Sequence, residues 1–109
     1  MARLQLITLE KLLEMKENKD AFTLVDARTE DSYREGHIPG AVSIPSDKMA
    51  QQAESRLDKR AMIVTYCGSY TCKASTIAAR KLLDLGYKNV LDFKAGKKAW
   101  QDAGLELEK

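Results

Sequence analysis

The feature that most constrains the fold is a short apolar run, residues 61–66, which leads through a loop with two cysteines into an amphipathic helical pattern. The run is partly β-branched, which is typical of a buried strand in a parallel sheet. The predicted buried face of the helix comprises Ala74, Ile77, Ala78, Leu82 and Leu85. The sequence therefore predicts a strand–loop–helix unit whose loop lies at the carboxyl end of a strand, where open α/β sheets bind ligands.

Four other short apolar runs predict further strands. They cover residues 4–7, 21–25, 41–44 and 89–93. Helical patterns fill the intervals between these strands, and this alternation implies βαβ units with right-handed crossovers. We therefore expect an α/β fold with a mostly parallel central sheet of about five strands and helices on both faces. The whole chain, residues 1–109, is interpreted as a single domain because its length suffices for one core.

The remaining helices are predicted from apolar spacing and from capping residues. Thr8 and Ser46 are predicted N-caps, residues 16–20 a polar connection, and residues 30–34 a short helical turn that ends at Gly36. The predicted buried faces comprise Leu9, Leu12 and Leu13 in the first helix, Met49, Ala50, Ala53 and Leu57 in the third, and Ala99, Trp100 and Ala103 in the last.

Composition excludes several classes of function. A net charge of +2, from 18 basic and 16 acidic residues spread along the chain, is unlike the concentrated basic face of a nucleic-acid binder. No segment is apolar enough to cross a membrane, and the start lacks the apolar core of a signal peptide, so we expect a cytoplasmic protein. One histidine and two cysteines fall short of the roughly four ligands of a structural zinc site, so no metal is expected.

Cys67 is the candidate nucleophile. It follows the predicted strand directly and precedes a helix N-terminus, where the helix dipole and free backbone N–H groups favour a thiolate. We therefore predict that the pKa of Cys67 lies below its ordinary value of ~8.5. The same N–H groups suit an anionic substrate, and Gly68 permits its close approach to the backbone.

Three segments together resemble the rhodanese domain, the sulfurtransferase fold. The first is Asp26-Ala27-Arg28 followed by Gly36-His37-Ile38-Pro39-Gly40-Ala41, which matches the acidic-x-arginine and glycine-histidine-isoleucine-proline-glycine-alanine pattern of that family. The second runs from Tyr66-Cys67 to Ser75, and the third runs from Gly86 through Ala95-Gly96 to Trp100 and Gly104. The order and spacing of the three segments span nearly the whole chain.

The resemblance implies a sulfurtransferase that works through a persulfide on Cys67 and needs no cofactor. Its partners would be a small sulfur donor, thiosulfate or a persulfide, and a thiol or protein acceptor. The implied substrate-binding loop comprises Gly68, Ser69, Tyr70, Thr71, Cys72 and Lys73. Asp26, Arg28 and His37 match positions that are chiefly structural in the family. The extended loop departs from the family pattern, since Cys72 and Lys73 stand where many members have an arginine.

The residues leave other functions open. Cys72 is either a resolving thiol, which forms a disulfide with Cys67 or receives its sulfur, or a loop residue with no role. A thiol–disulfide redox protein that uses both cysteines is therefore an alternative, as is a binding module without catalysis. A cysteine phosphatase is disfavoured, because Lys73 rather than an arginine lies six positions after Cys67 and cannot bind phosphate in a bidentate manner.

Overall fold

The computed structural model of the protein describes residues 4–109. Its strands are β1 (Gln5–Leu6), β2 (Thr23–Asp26), β3 (Val42–Ser43), β4 (Ile63–Tyr66) and β5 (Val90–Phe93). Its helices are α1 (Leu9–Glu17), α2 (Glu30–Glu35), α3 (Met49–Arg56), α4 (Ala74–Asp84) and α5 (Gly96–Asp102), with a 3₁₀ turn at Ser46–Lys48. The predicted alternation of strands and helices is confirmed.

The five strands form one parallel sheet in the order β1-β5-β4-β2-β3. The predicted α/β class and parallel sheet are therefore confirmed. In the register of the central strands, Tyr66 of β4 lies beside Asp26 of β2 on one side and Phe93 of β5 on the other. Since parallel strands end at the same edge of the sheet, this register brings the residues that follow β2, β4 and β5 together.

Helices cover both faces of the sheet, as the sequence predicts. One core packs α3 and α4 against the sheet and includes Met49, Ala53, Ala78, Leu82 and Val90. The other core packs α1 and α5 against the opposite face and includes Leu12, Val64, Tyr66, Phe93 and Trp100. Because successive residues of a strand point to opposite faces, Thr65 and Tyr66 of β4 belong to different layers. Cys67 therefore follows a strand that is buried on both sides.

Several local predictions are wrong. Ile77 is 53% exposed, and Ala50 and Ala103 are also exposed, although each was expected in a buried face. In α4 the predicted Ala78 and Leu82 are buried and Ala74 and Leu85 are partly buried, whereas Ser75 and Ala79 take the place expected for Ile77 in the buried face. The polar connection expected at residues 16–20 is partly helical, because α1 continues to Glu17 and buries Met15.

The capping predictions have mixed outcomes. Thr8 caps α1 as predicted, since its Oγ1 accepts the N–H of Lys11 at 3.1 Å. Ser46 instead begins the 3₁₀ turn, and no side chain caps α3. None of the helices within residues 4–109 is long and apolar enough to span a membrane. The single-domain interpretation stays a prediction.

Candidate functional site

Cys67 follows β4 and is joined to Cys72 by a disulfide bond. The two Cα atoms lie 6.2 Å apart, within the usual range for such bonds. Cys67 is only 2% exposed, whereas Cys72 is half-buried. The structure therefore represents the oxidised form of the segment that we call the cysteine loop, residues 67–73. It brings the two sequence-predicted thiols into direct contact.

The N-terminus of α5 holds the start of the cysteine loop through the backbone. The N–H of Lys97 donates to the carbonyl oxygen of Cys67 at 2.9 Å, and the N–H of Lys98 donates to that of Gly68 at 2.8 Å. These bonds use N–H groups in the first turn of a helix, which have no partner within the helix. The β5–α5 segment is therefore a backbone support for the loop.

Gly96 makes this support sterically feasible. Its φ angle of +67° is in the left-handed region, and a Cβ atom at this position would overlap the carbonyl group of Cys67. Only glycine allows both the conformation and the close approach. Gly96 lies in the Ala95-Gly96 pair that contributes to the family resemblance, but sequence reasoning assigned it no role at the site. The sequence feature that could have indicated this role is the position of Gly96 directly before the predicted last helix.

The orientation of two peptide groups leaves N–H donors available in the loop. In a trans peptide the N–H group points opposite to the carbonyl of the preceding residue, and the described residues contain no cis peptide bond. Because the carbonyls of Cys67 and Gly68 face α5, the N–H groups of Gly68 and Ser69 point away from α5. Within the described residues, Cys72 is the one residue from 68 to 73 whose N–H donates to a protein acceptor, the carbonyl of Ser69.

The first turn of α4 is anchored to the sheet by side chains. Thr65 of β4 donates its hydroxyl to the carbonyl of Ser75 at 3.0 Å. Thr76 donates to the carboxylate of Asp92 on β5 at 2.8 Å. No side chain among the described residues caps the N-terminus of α4. The helix start is therefore fixed beside the cysteine loop while its N–H groups remain suited to an anion.

Lys94 is a further residue of the site, and nothing in the sequence indicated a role for it there. Its Nζ atom donates to the carbonyl of Cys72 at 3.0 Å and lies 5.7 Å from the centre of the Tyr70 ring. Tyr70 is exposed, and the hydroxyl groups of Ser69 and Thr71 contact each other at 3.2 Å. Lys73 is exposed at the start of α4. No sequence pattern indicated that Lys94 would reach back to the loop.

Asp26 and Arg28 form a buried ion pair after β2. Asp26 is fully buried, and its carboxylate accepts the backbone N–H of Arg28 at 2.9 Å and the guanidinium Nη2 at 2.7 Å. The same Nη2 donates to the carbonyl of Gly36 at 2.7 Å. Burial lowers the pKa of Arg28, but the hydrogen bond and charge of Asp26 outweigh it, so the pKa is raised. The pair fixes the turn from Asp26 to Gly36.

Tyr66 connects this ion pair to the strand that carries Cys67. Its hydroxyl donates to Asp26 Oδ2 at 2.7 Å and accepts the N–H of Ile38 at 3.0 Å. Burial raises the pKa of Tyr66, and the negative charge of Asp26 raises it further. The phenol therefore stays protonated and keeps both hydrogen bonds. Tyr66, Asp26 and Arg28 form what we call the side-chain support of the site.

His37 lies outside the cysteine loop. Its ring stacks on Tyr33 with centroids 3.7 Å apart, and its Nδ1 atom contacts the carbonyl of Tyr33 at 2.8 Å. Its Nε2 atom lies 3.5 Å from a carboxylate oxygen of Glu108, and the two residues form an antiparallel backbone bridge. The structure therefore places His37 among residues of the α2 and C-terminal segments and not beside either cysteine.

An open cleft of about 390 Å³ lies against the cysteine loop. Its walls include both cysteines, the start of α4 at Ala74, and residues 27–29 and 45–47 of the neighbouring segments. Arg28, whose guanidinium group is paired with Asp26, and the anionic Asp47 both line this cleft. The cleft therefore offers space for a small anion beside the cysteine pair. Within residues 4–109 no group of three or more metal-ligating side chains is present.

Comparison with known families identifies a match over most of the chain. The model of the rhodanese-like domain matches residues 8–103. The chain is 31% identical over 98 residues to the thiosulfate sulfurtransferase GlpE of Pseudoalteromonas translucida, with 89% of each chain covered. It is also 35% identical over 102 residues to an HTH-type transcriptional regulator of Mycobacterium tuberculosis, but it spans only 44% of the length of that protein.

Solved structures show the same fold. A crystal structure of a protein from Bacillus halodurans is 32% identical in sequence and superimposes with a TM-score of 0.86. That match covers 95% of the present chain and 76% of the other. The aligned region is therefore nearly the whole chain.

Proposed function

This chain belongs to the rhodanese-like domain family, and we propose that it is a sulfurtransferase in which Cys67 carries the transferred sulfur as a persulfide. The donor in this proposal is thiosulfate or a persulfide, and the acceptor is a thiol or another sulfur-binding nucleophile. The disulfide must first be reduced, because Cys67 acts as a nucleophile only as a free thiolate. Membership in the family and similarity to a thiosulfate sulfurtransferase support the reaction class.

The chemistry consists of two displacements at sulfur. The thiolate of Cys67 attacks the sulfane sulfur of thiosulfate, the sulfur–sulfur bond breaks, and sulfite leaves with the bonding electron pair. The acceptor nucleophile then attacks the outer sulfur of the persulfide and releases the thiolate of Cys67. The thiolate, the bound thiosulfate and the persulfide anion all carry negative charge beside the start of the loop, so one set of donors serves both steps.

The observation that carries the proposal is the position of Cys67 relative to free backbone donors. Cys67 directly follows the central strand β4, and the loop after it turns the N–H groups of Gly68 and Ser69 away from α5. The uncapped start of α4 adds the positive end of a helix dipole. These donors favour a thiolate, a bound thiosulfate and a persulfide anion alike. Arg28 also lines the cleft, with its guanidinium group paired to the buried Asp26.

Intact mass under non-reducing conditions tests the proposal. The reduced protein, freed of reductant and incubated with excess thiosulfate, should gain one sulfur atom or should release an equivalent amount of sulfite. The Cys72→Ser variant is the cleaner substrate, because it retains Cys67 without a competing thiol. Its adduct should disappear on addition of cyanide. The matched Cys67→Ser variant should gain no sulfur, and absence of any adduct on Cys72→Ser with thiosulfate and with a persulfide donor would refute the proposal.

The disulfide bond favours thiol–disulfide exchange without sulfur transfer as a second candidate. In that case Cys67 and Cys72 would cycle between dithiol and disulfide in reaction with another thiol protein. Turnover of a disulfide substrate that depends on both cysteines, with no sulfur adduct on Cys72→Ser, would favour this function.

A further inference from the structure

We propose that Cys72 attacks the Cys67 persulfide and expels its outer sulfur as hydrosulfide, so that the protein acts as a sulfide-releasing reductase of sulfane sulfur. The product on the protein is the Cys67–Cys72 disulfide that the structure contains. A dithiol reductant of the thioredoxin class then reopens the loop. This inference rests on the proposed sulfurtransferase function, because Cys67 must first accept a sulfur atom.

The disulfide identifies the sulfur atom that Cys72 reaches. A persulfide has an inner sulfur, the Sγ atom of Cys67, and an outer sulfur that came from the donor. In the structure the Sγ atom of Cys72 is bonded to the Sγ atom of Cys67. The loop conformation therefore brings Cys72 to the inner sulfur. Attack at this atom expels the outer sulfur and joins the two cysteines, so neither of them remains a persulfide.

Burial distinguishes the two halves of the disulfide. In the disulfide form Cys67 is 2% exposed, so an external thiol has little access to its Sγ atom. Cys72 is half-buried and is the more accessible half of the disulfide. An external dithiol would consequently attack Cys72 and release Cys67 as the leaving thiolate, the form that accepts the next sulfur.

Residues of the β5–α5 segment hold both cysteines in position. Lys97 binds the carbonyl of Cys67 through its backbone N–H, and Lys94 binds the carbonyl of Cys72 through its Nζ atom. The N–H of Cys72 also donates to the carbonyl of Ser69 within the loop. Since two reacting groups held in position react as if at very high concentration, Cys72 competes effectively with external thiols.

The proposed cycle balances in atoms and electrons. The anionic persulfide of Cys67 and the thiol of Cys72 give the disulfide and one hydrosulfide ion, and the proton of Cys72 leaves on that ion. The dithiol reductant then supplies two electrons and two protons, which regenerate both thiols while the reductant becomes a disulfide. Over the cycle, thiosulfate is reduced to sulfite and hydrosulfide.

A single-turnover experiment tests the inference. The full chain is reduced, separated from reductant and mixed with thiosulfate, and sulfide, sulfite and intact mass are measured. Wild type should release equal amounts of sulfite and sulfide and should finish as the disulfide, without added sulfur. Cys72→Ser should release sulfite but no sulfide and should keep one added sulfur. Cys67→Ser, the matched control, should release neither product.

The outcomes separate this inference from the proposed function. If Cys72→Ser takes up sulfur and wild type also retains it, without sulfide or disulfide, the sulfurtransferase proposal stands and the inference is wrong. If the sulfur is found on Cys72 after trapping and digestion, attack occurs at the outer sulfur and the inference is again wrong. If no reduced protein takes up sulfur, both proposals fail. A cooperative urea unfolding transition of Cys72→Ser shows that this variant is folded.

Discussion

The two supports of the cysteine loop differ in how they are built. On the β2 side, Asp26, Arg28 and Tyr66 form a buried network of side chains with an ion pair at its centre. On the β5 side, the support is the backbone of α5, which binds two loop carbonyls and passes close to Cys67 at Gly96. The first support holds the strands and turns around the site, and the second determines the path of the loop itself.

This difference predicts a division of roles. Loss of a buried charge partner affects the whole fold, because the remaining charge stays in an environment of low polarity. Disturbance of the backbone support instead moves the loop, which carries the reactive sulfur. We therefore expect variants of the side-chain support to lower stability while leaving the reactivity of reduced Cys67 in the folded protein intact, and variants of the backbone support to change that reactivity.

Asp26→Asn should have the largest effect on stability. The variant removes the charge that compensates Arg28, and the free energy of unfolding should fall by about 3–5 kcal/mol. Urea denaturation of the reduced protein measures this loss. Asp31→Asn is the matched control, because Asp31 is an exposed partner of Arg34 and its loss should cost less than about 1 kcal/mol. Equal effects of the two substitutions would show that the buried ion pair is not a major support.

Gly96→Ala tests the backbone support. The left-handed conformation and the overlap with the Cys67 carbonyl together should cost about 2–4 kcal/mol. Gly104→Ala is the control, since Gly104 has a φ angle of +81° but no atom within 4 Å of the added Cβ. The control should show the conformational cost alone. The alkylation rate of reduced Cys67 should change in Gly96→Ala and not in Gly104→Ala, and the division of roles fails if Asp26→Asn changes it more.

The two supports also differ in what the sequence revealed. The α/β order, the parallel sheet and the position of Cys67 follow from local patterns, because apolar periodicity is a property of neighbouring residues. Asp26 and Arg28 were found through the family resemblance. The contacts of Lys94, Lys97 and Lys98 with the loop were not predictable, because each ends on a backbone carbonyl that is distant in the chain, and a backbone acceptor leaves no mark in the sequence.

Errors in the helix faces have a related cause. Ile77 is apolar but exposed, while Ser75 is polar but buried at the start of α4. The hydroxyl of Thr65 binds the carbonyl of Ser75, so the contact that fixes the first helical turn involves polar groups. A prediction based on apolar spacing assigns such a face incorrectly, and the error falls next to the site.

Tyr66→Phe removes one link of the side-chain support and should have an intermediate effect. Loss of the hydroxyl leaves the N–H of Ile38 and one position on Asp26 without a partner, at a cost of about 1–3 kcal/mol. The pKa of Tyr66 is raised in the folded state, so its contribution is complete below the unfolded value of ~10 and decreases as the pH rises above it. The difference in unfolding free energy between wild type and variant should therefore narrow above pH ~10. If this difference in unfolding free energy stays constant above pH ~10, the Tyr66 hydroxyl does not make the stabilising hydrogen bonds assigned to it.

Lys94→Met should have the smallest effect on stability and a selective effect on the cysteine pair. Lys94 binds the carbonyl of Cys72, so loss of its side chain should release Cys72 from the β5–α5 segment that also holds Cys67. One hydrogen bond contributes about 0.5–1.5 kcal/mol, which corresponds to a roughly two- to tenfold lower equilibrium constant for forming the disulfide. Redox titration against glutathione measures this constant. Lys98→Met is the control, because the Lys98 side chain pairs with Asp102 and only its backbone N–H contacts the loop. If the equilibrium constant for forming the disulfide falls equally in both variants, the cause is the loss of a positive charge and not the loss of the contact with Cys72.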